Sequence, residues 1–465
     1  MNTLFHDKRI TVFGLGLNMG GVGTVKYLAE HGAREIIVTD IKTKEDLAPS
    51  IEKLRDYHQI TWVLGEHRPE NFTETDMVIK NPGIPWTNEY IKLAVAHNVP
   101  VEMDSSLFFR LCKNSIIGVT GSKGKTTTST LITHLLKEAG RDTVPVGISQ
   151  VGVLGVLEDI GSESQVVFEL SSWRLSALNG IKKSPAIAVL TNIYPDHLNY
   201  YHTMEAYMAD KAQIFLHQKQ SGMCIANWDN ALVREIVQDA PGIVLWFSTA
   251  GPVTGDGAWL VDETLFLSHQ GKEQVILPLS QVPLRGDHNV GNVLASALAA
   301  LAAGLTIEEI RAGIESFAGV PHRLEKVAVK NGVTYYNDTT ATIPDAAIAS
   351  LRSFQEPVIL LAGGSDKQLP FERLAKELLA RPKRMILFRG EGTDKLIHAM
   401  RALLPPSESE RHFDFVGSME EAVRMAEACA EPGDVVLLSP GTASFGMFQN
   451  EFDRGDQFRK IVKDL

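Results

Sequence analysis

Residues 118–136 read GVTGSKGKTTTSTLITHLL, and this segment narrows the choice of fold more than any other in the chain. A β-branched apolar run ends at Thr120, a glycine-rich loop follows, and Lys125 and Thr126 open a stretch with helical spacing. A strand that turns through glycines into a helix aims backbone N–H groups and the positive helix end at one spot, which suits phosphate. Lys125 then reaches the outer phosphate oxygens and the Thr126 hydroxyl suits magnesium. Gly121, Ser122, Lys123, Gly124, Lys125, Thr126 and Thr127 are therefore expected to hold a nucleoside triphosphate. The strict GxxxxGK[ST] spacing is not met, because Val119 stands where its first glycine would be.

Three times the sequence restarts with an apolar run, a glycine turn and a helical pattern. The first restart is ITVFGLG after Arg9, the second is the loop above, and the third begins near Leu324 and includes PVILLAGGSDK. Short apolar runs such as EIIVTD, AIAVLTN, PVILLAGG and DVVLLSPG read as parallel strands buried on both faces. An α/β architecture follows, and 465 residues leave room for about three domains. Their expected limits are 1–112, 113–320 and 321–465.

A formal net charge of −11 argues against a broad basic face for nucleic acid, so anionic ligands need local basic pockets. Cys112, Cys224 and Cys429 lie far apart without CxxC spacing, which speaks for a reducing cytoplasm and against a disulfide framework or zinc site. The first residues lack the pattern of a signal peptide. The apolar stretch 293–305 falls short of the ~20 residues of a membrane span, so no membrane insertion is expected.

Downstream of the loop, VVFELSSWRL delivers Glu169 to a strand end, where a carboxylate either binds magnesium beside the phosphates or sits as a charge ahead of a helix. AIAVLTNIYPDHLNYY ends a strand near Asn192 and sets His197 in the next loop, as a ligand-facing or a merely solvated histidine. Lys211 lies in MADKAQIF, which is expected to form a helix, and its surroundings in sequence give it no role. Near the N-terminus, Gly14 and Gly16 start a dinucleotide-like fingerprint whose third glycine comes late, at Gly20, and Asp40 ends the second strand. A nicotinamide-dependent oxidoreductase is the competing class for that pattern. The GKT loop and its magnesium carboxylate weigh against it.

The ordered set GVTGSKGKTTT, FELSSW, TNIYPDHLNYY, MADKAQIF, GDHNVGN, PHRLE and YYNDTTAT resembles the ATP-dependent Mur ligases, relatives of folylpolyglutamate synthase. NPGIP, ELSSWRL and LSPGTASFGMFQNEFDRGDQF are most similar to the family member that adds glutamate to UDP-N-acetylmuramoyl-L-alanine. The resemblance implies a Rossmann-like N-terminal domain for UDP, a central P-loop-type mononucleotide-binding ATPase, and a Rossmann-like C-terminal domain for the amino acid. It implies that Thr126 and Glu169 hold one magnesium ion, and that His197 and a carbamylated Lys211 serve a second. Asn289 and Asn292 would face the nucleotide, with Arg323 and Asp338 closing over ATP. Gly14, Leu15, Gly16, Leu17, Asn18 and Asp40 would surround the uridine diphosphate, and Asn81, Pro82 and Gly83 its muramoyl part. Thr342, Lys367 and Ser444 would grip glutamate.

The implied reaction activates the alanyl carboxylate as an acyl phosphate, which the glutamate amine then attacks to give an amide, ADP and phosphate. Lys125, His197, Lys211 and Arg323 are the expected catalytic set in a monomer with these small-molecule substrates. D-glutamate is the first expectation. L-glutamate is the alternative, because Thr340 stands where D-glutamate enzymes carry a lysine, and because Asn199, Tyr200, Glu451 and Phe452 also depart from their pattern.

Overall fold

The computed structural model describes residues 4–17, 19–148, 152–367, 369–405 and 413–465. Its strands form three sheets, with strand residues falling within 9–102, 116–278 and 325–438. By packing, the chain makes two compact units: residues 1–281 with 290–315, and residues 282–289 with 316–465.

In the first unit, five parallel strands run in the order Ile60–Leu64, Glu35–Asp40, Arg9–Phe13, Met77–Lys80, Val101–Glu102. That is the order of a Rossmann-type sheet. Apolar residues cover both faces: Ile10, Val12, Val22 and Val25 on one, and Phe13, Phe72, Val78 and Ile91 on the other.

The second sheet has nine strands. Seven run parallel, from Thr143–Val146 through Gln165–Glu169, Ile116–Thr120, Ile187–Leu190, Met223–Asn227 and Ile243–Ser248 to Gly257–Val261. Thr264–His269 and Lys272–Pro278 extend it as an antiparallel meander. The central strand Ile116–Thr120 is buried throughout, which explains why it reads as an unbroken apolar run.

The second unit holds six strands, ordered Glu325–Lys330, Val333–Asn337, Val435–Leu438, Val358–Ala362, Arg384–Phe388, Asp414–Val416. All but the first pair in parallel. The four runs read as parallel strands from sequence all lie in such strands. The helix Ile307–Glu315 is the last element before the third sheet. No helix among the described residues is long and apolar enough to cross a membrane.

Candidate active site

Register brings the chemistry of the central sheet together. Val119 pairs with Glu169 and Thr120 with Leu190, so the phosphate loop, Glu169 and the 191–197 loop all leave the sheet from neighbouring strand ends. Open α/β sheets bind ligands at this carboxyl edge. The loop itself is tied down by side chains from the adjacent strand end. Asn192 accepts from the Lys123 N–H through Oδ1 (2.8 Å) and donates from Nδ2 to the Lys123 carbonyl (3.1 Å), while Thr191 Oγ1 donates to the same carbonyl (2.6 Å). The Ser122 hydroxyl accepts from the Tyr194 N–H (2.9 Å) and lies 2.9 Å from the Tyr207 hydroxyl. Ser122 thus shapes the loop with its side chain, and its backbone N–H adds a further tie by donating to the Asn192 carbonyl (2.9 Å).

Gly124 caps the helix Lys125–Glu138 at φ +84°, a left-handed conformation that favours glycine. A Cβ there would stand 2.3 Å from Asn292 Oδ1, so position 124 is closed to side chains on two counts. Asn292 is buried and accepts from the Thr128 hydroxyl (3.3 Å). Lys125 folds over the loop and donates to the carbonyls of Gly121 (3.0 Å) and Ser122 (3.2 Å). Thr126 and Thr127, in the first turn, remain partly exposed.

Glu169 is partly exposed at the end of its strand, and the following Ser171 caps the next helix, Ser172–Ser176, by accepting from the Arg174 N–H (3.3 Å). Helix capping therefore falls to Ser171. His197 caps the short helix Leu198–Tyr201 at φ +53°, with its side chain 43% exposed and the Trp173 ring 4.8 Å from its imidazole. Lys211, on the helix Met204–Ala212, is the opposite case at 1% exposure. Its Nζ lies 4.7 Å over the Tyr207 ring. Burial first, and then repulsion from Lys125, hold its pKa well below that of an ordinary lysine, with Asp196 opposing.

The first-domain candidates sit in two interlocked loops, with Asn18 outside the described residues. Gly14 and Gly16 have φ +87° and +64°. Asp40 is buried, and its carboxylate accepts from the N–H groups of Gly16 (3.0 Å) and Lys42 (3.0 Å). Asn81 Nδ2 donates to the Gly14 carbonyl (3.3 Å) while its Oδ1 accepts from the Gly83 N–H (3.0 Å). Asp40 and Asn81 thus hold the loops from behind, and Leu15 is buried while Leu17 is exposed.

In the second unit, Arg323 is exposed on a turn flanked by two left-handed residues, His322 (φ +66°) and Leu324 (φ +43°). Asp338 is buried behind it, accepting from the Leu324 N–H (3.1 Å), the Ser439 hydroxyl (2.9 Å) and Ser350. Burial pushes its pKa up to about 6 despite these donors. Its carboxylate is engaged within its own unit, by the turn that carries Arg323 and by two serines. Asn289, also buried, donates to the Arg285 carbonyl (2.7 Å).

The glutamate candidates come together. The loops carrying Thr342, Lys367 and Ser444 follow the adjacent strands Val333–Asn337, Val358–Ala362 and Val435–Leu438. Lys367 Nζ donates to Thr342 Oγ1 (3.0 Å), and Ser365 and Ala443 exchange backbone bonds of 3.0 and 3.2 Å. Thr340, in the expected lysine place, donates from its hydroxyl to the His322 carbonyl (2.9 Å).

Sequence reasoning missed Thr191, Trp173, Lys80 and Arg454. The last is fully buried and clamps Thr339 through Nε to Oγ1 and Nη2 to the carbonyl, both 2.9 Å. A charged residue closing the apolar run MVIK was the one available signal for Lys80.

Three family models match in order: "Mur ligase MurD-like, N-terminal domain" over residues 8–102, "Mur ligase middle domain" over 119–300, and "Mur ligase, glutamate ligase domain" over 322–441. The UDP-N-acetylmuramoylalanine–D-glutamate ligase of Roseiflexus sp. (strain RS-1) is 43% identical over 98% of this chain and 99% of its own. The enzyme of the same name from Symbiobacterium thermophilum is 36% identical over 99% and 98%. Among solved structures, the UDP-N-acetylmuramate-alanine ligase MurC of Thermotoga maritima superposes with a TM-score of 0.58 at 18% identity, covering 98% of this chain and 99% of its own. MurF ligase of the same organism, in complex with ADP, gives 0.56 at 20%, covering 99% and 96%. With full-length relatives at such identity and a shared three-domain α/β fold, the chain belongs to the Mur ligase family.

Proposed function

We propose that the chain joins D-glutamate to UDP-N-acetylmuramoyl-L-alanine, cleaving ATP to ADP and phosphate through an acyl phosphate. The observation that carries this reading is the alignment at the central sheet edge: Lys125 and Thr126 opening a helix beside Glu169, with His197 and buried Lys211 on the elements that follow. The full-length relatives carry the name of that reaction.

In this reading an alanyl carboxylate oxygen attacks the γ-phosphorus and ADP leaves. Lys125, swung from its loop carbonyls, and Arg323, a planar fork of donors, offset the charge on the transferring oxygens. The neutral glutamate amine then attacks the acyl carbon, phosphate leaves, and the amine proton is lost. No protein nucleophile is required, so catalysis rests on position and electrostatics. The Gly121–Thr127 backbone, Asn289, Asn292 and Asp338 are assigned to the ATP site, Asp338 by holding the Arg323 turn. Gly14 to Asn18 and Asp40 are assigned to the uridine diphosphate, and Asn81 to Gly83 to the muramoyl part.

Thr126 and Glu169 offer the oxygen donors that magnesium prefers. Among the described residues no group of three His, Cys, Asp or Glu could hold a metal ion. Bound there, and at a second site served by His197 and carbamylated Lys211, magnesium would offset phosphate charge. The depressed pKa of Lys211 supports the carbamate, since only a neutral amine adds carbon dioxide. Lys367, Thr342 and Ser444 supply a cation and two hydroxyls for a dianionic amino acid. Domain limits near 112 and 320, a monomeric state and a cytoplasmic setting complete the reading.

L-glutamate is the second reading. It is favoured by Thr340, which leaves the amino-acid loop without the lysine of D-glutamate enzymes and turns its hydroxyl to the His322 carbonyl. Phosphate release is measured with ATP, UDP-N-acetylmuramoyl-L-alanine and each glutamate enantiomer separately. Release that needs both substrates and favours D-glutamate is expected. A preference for L-glutamate selects the second reading, and release indifferent to both substrates sinks the ligase assignment.

A further inference from the structure

Lys80 ends the strand Met77–Lys80 beside Phe13, and it is 1% exposed. Its Nζ donates to the Ile84 carbonyl at 2.8 Å and, more weakly, to the Asn81 carbonyl at 3.4 Å. These contacts close the segment Asn81-Pro82-Gly83-Ile84 into a loop over the ammonium. The same ammonium lies 4.6 Å from the centre of the Trp86 ring. A small cavity beneath the loop is lined by Gly14, Gly20, Thr24, Lys80, Asn81 and Asp104.

Trp86 leads away from the loop. Its Nε1 donates to Ser176 Oγ (2.8 Å), and Ser176 donates to the Trp173 carbonyl (2.6 Å). Trp173 in turn rests against His197. Two further contacts dock this helix on the first domain: Arg174 pairs with Asp104 at 3.1 Å, and Ser105 Oγ donates to the Arg174 carbonyl at 2.8 Å. All these residues belong to one compact unit.

A buried ammonium is a poor way to gain stability, because removing it from water costs several kcal/mol and an apolar side chain of similar length fills the same space. Burial draws the Lys80 pKa down to about 7, with Asp104 and Asp210 opposing. What an apolar residue cannot supply is N–H groups aimed at two loop carbonyls.

We infer that Lys80 is a positioning residue for the sugar-nucleotide substrate: it closes the Asn81–Ile84 loop in the shape that receives the muramoyl part, and through Trp86 and Ser176 it ties that loop to the helix supporting His197. The inference rests on the proposed ligase activity. Wild-type turnover is therefore established first, and its absence sinks that activity rather than the role of Lys80.

Lys80→Met is compared with wild type by steady-state kinetics and thermal melting of the full chain. The KM for UDP-N-acetylmuramoyl-L-alanine should rise at least about tenfold, the KM for ATP should stay within about twofold, and the melting temperature should hold or rise. An unchanged sugar-nucleotide KM overturns the inference. So does a parallel rise in all KM values with a large drop in melting temperature, which marks a residue that only holds the fold. Should Lys80→Met fail to fold, Lys80→Gln is read by the same split. Its amide falls one bond short of the Ile84 carbonyl while remaining polar, and a sugar-nucleotide KM within twofold of wild type again overturns the inference.

Discussion

Glu169 and His197, at the carboxyl edge of the central sheet, look outward in part, whereas the aspartates at the matching places in the first and third sheets look inward. Glu169 is partly exposed and the His197 side chain is 43% exposed, but Asp40 and Asp338 are each only 6% exposed. Asp40 accepts from two loop N–H groups, and Asp338 accepts from one N–H and two serines. A strand-end carboxylate can therefore face a ligand or fasten the loop that does. The two uses make different demands. The outward kind must remain open to ions and phosphate, and the inward kind must find donors enough to offset its loss of water.

Substitutions should separate the two kinds. The largest effects belong to the central edge. Lys125→Ala and Glu169→Ala should each slow acyl-phosphate formation by at least about 100-fold with folding intact, as for loss of a fixed electrostatic contact. Borohydride reduction of the intermediate reads this step, and undiminished trapping would place both residues outside the chemistry. Lys211→Ala should abolish turnover, with partial recovery on adding a small carboxylate. Near-normal turnover without the additive rules out the carbamate.

Gly124→Ala comes next. The new methyl meets Asn292 Oδ1 at 2.3 Å in a left-handed backbone, a strain of roughly 1–3 kcal/mol that the loop can relieve only by moving. The KM for ATP should rise about tenfold while the sugar-nucleotide KM holds. Equal rises in both would mean that the damage spreads beyond the loop.

Asp40→Asn probes the inward kind. The amide replaces one acceptor by a donor facing an N–H, a mismatch of about 1–3 kcal/mol. A lower melting temperature is expected, with a several-fold rise in sugar-nucleotide KM and little change in kcat. A collapse in kcat with the melting temperature unchanged would move Asp40 into the outward class.

This distinction also explains what the sequence could and could not convey. The parallel strands were legible because burial on both faces leaves unbroken apolar runs, as in IIGVT and VILLA. The phosphate loop was legible because glycines, lysine and threonine have a fixed order along one turn. Lys211 gained a role only by resemblance, since a lysine on a short helix looks solvated until neighbouring elements bury it. The direction of Asp40, Asn81 and Asp338 was hidden for the same reason: the partners that turn them inward come partly from distant positions, such as the Ser439 hydroxyl that donates to Asp338 and the Gly14 carbonyl that accepts from Asn81. Lys80 was illegible because its acceptors are backbone carbonyls, which every residue carries.

The smallest expected effect concerns Asp338 and tests the inward class by pH. Its carboxyl titrates near 6 in the fold, against 3.8 for the ordinary group, so the folded chain keeps a proton that the unfolded chain has already lost. A group with a raised pKa contributes its full stability below about pH 4 and loses it as pH rises through 6. The shift corresponds to no more than roughly 3 kcal/mol, or a few degrees in melting temperature for a chain of this size. Asn at this position cannot titrate. The melting temperature of Asp338→Asn minus that of wild type should therefore climb between pH 4 and 6.5 and then level off. A difference that stays flat across this range means the carboxylate is ionised throughout, held by its three donors and Arg323 more strongly than burial opposes them. Turnover sharpens the result: a residue that only fastens the Arg323 turn should lose less on Asp338→Asn than Lys125 loses on truncation, and an equal loss would place Asp338 against the nucleotide.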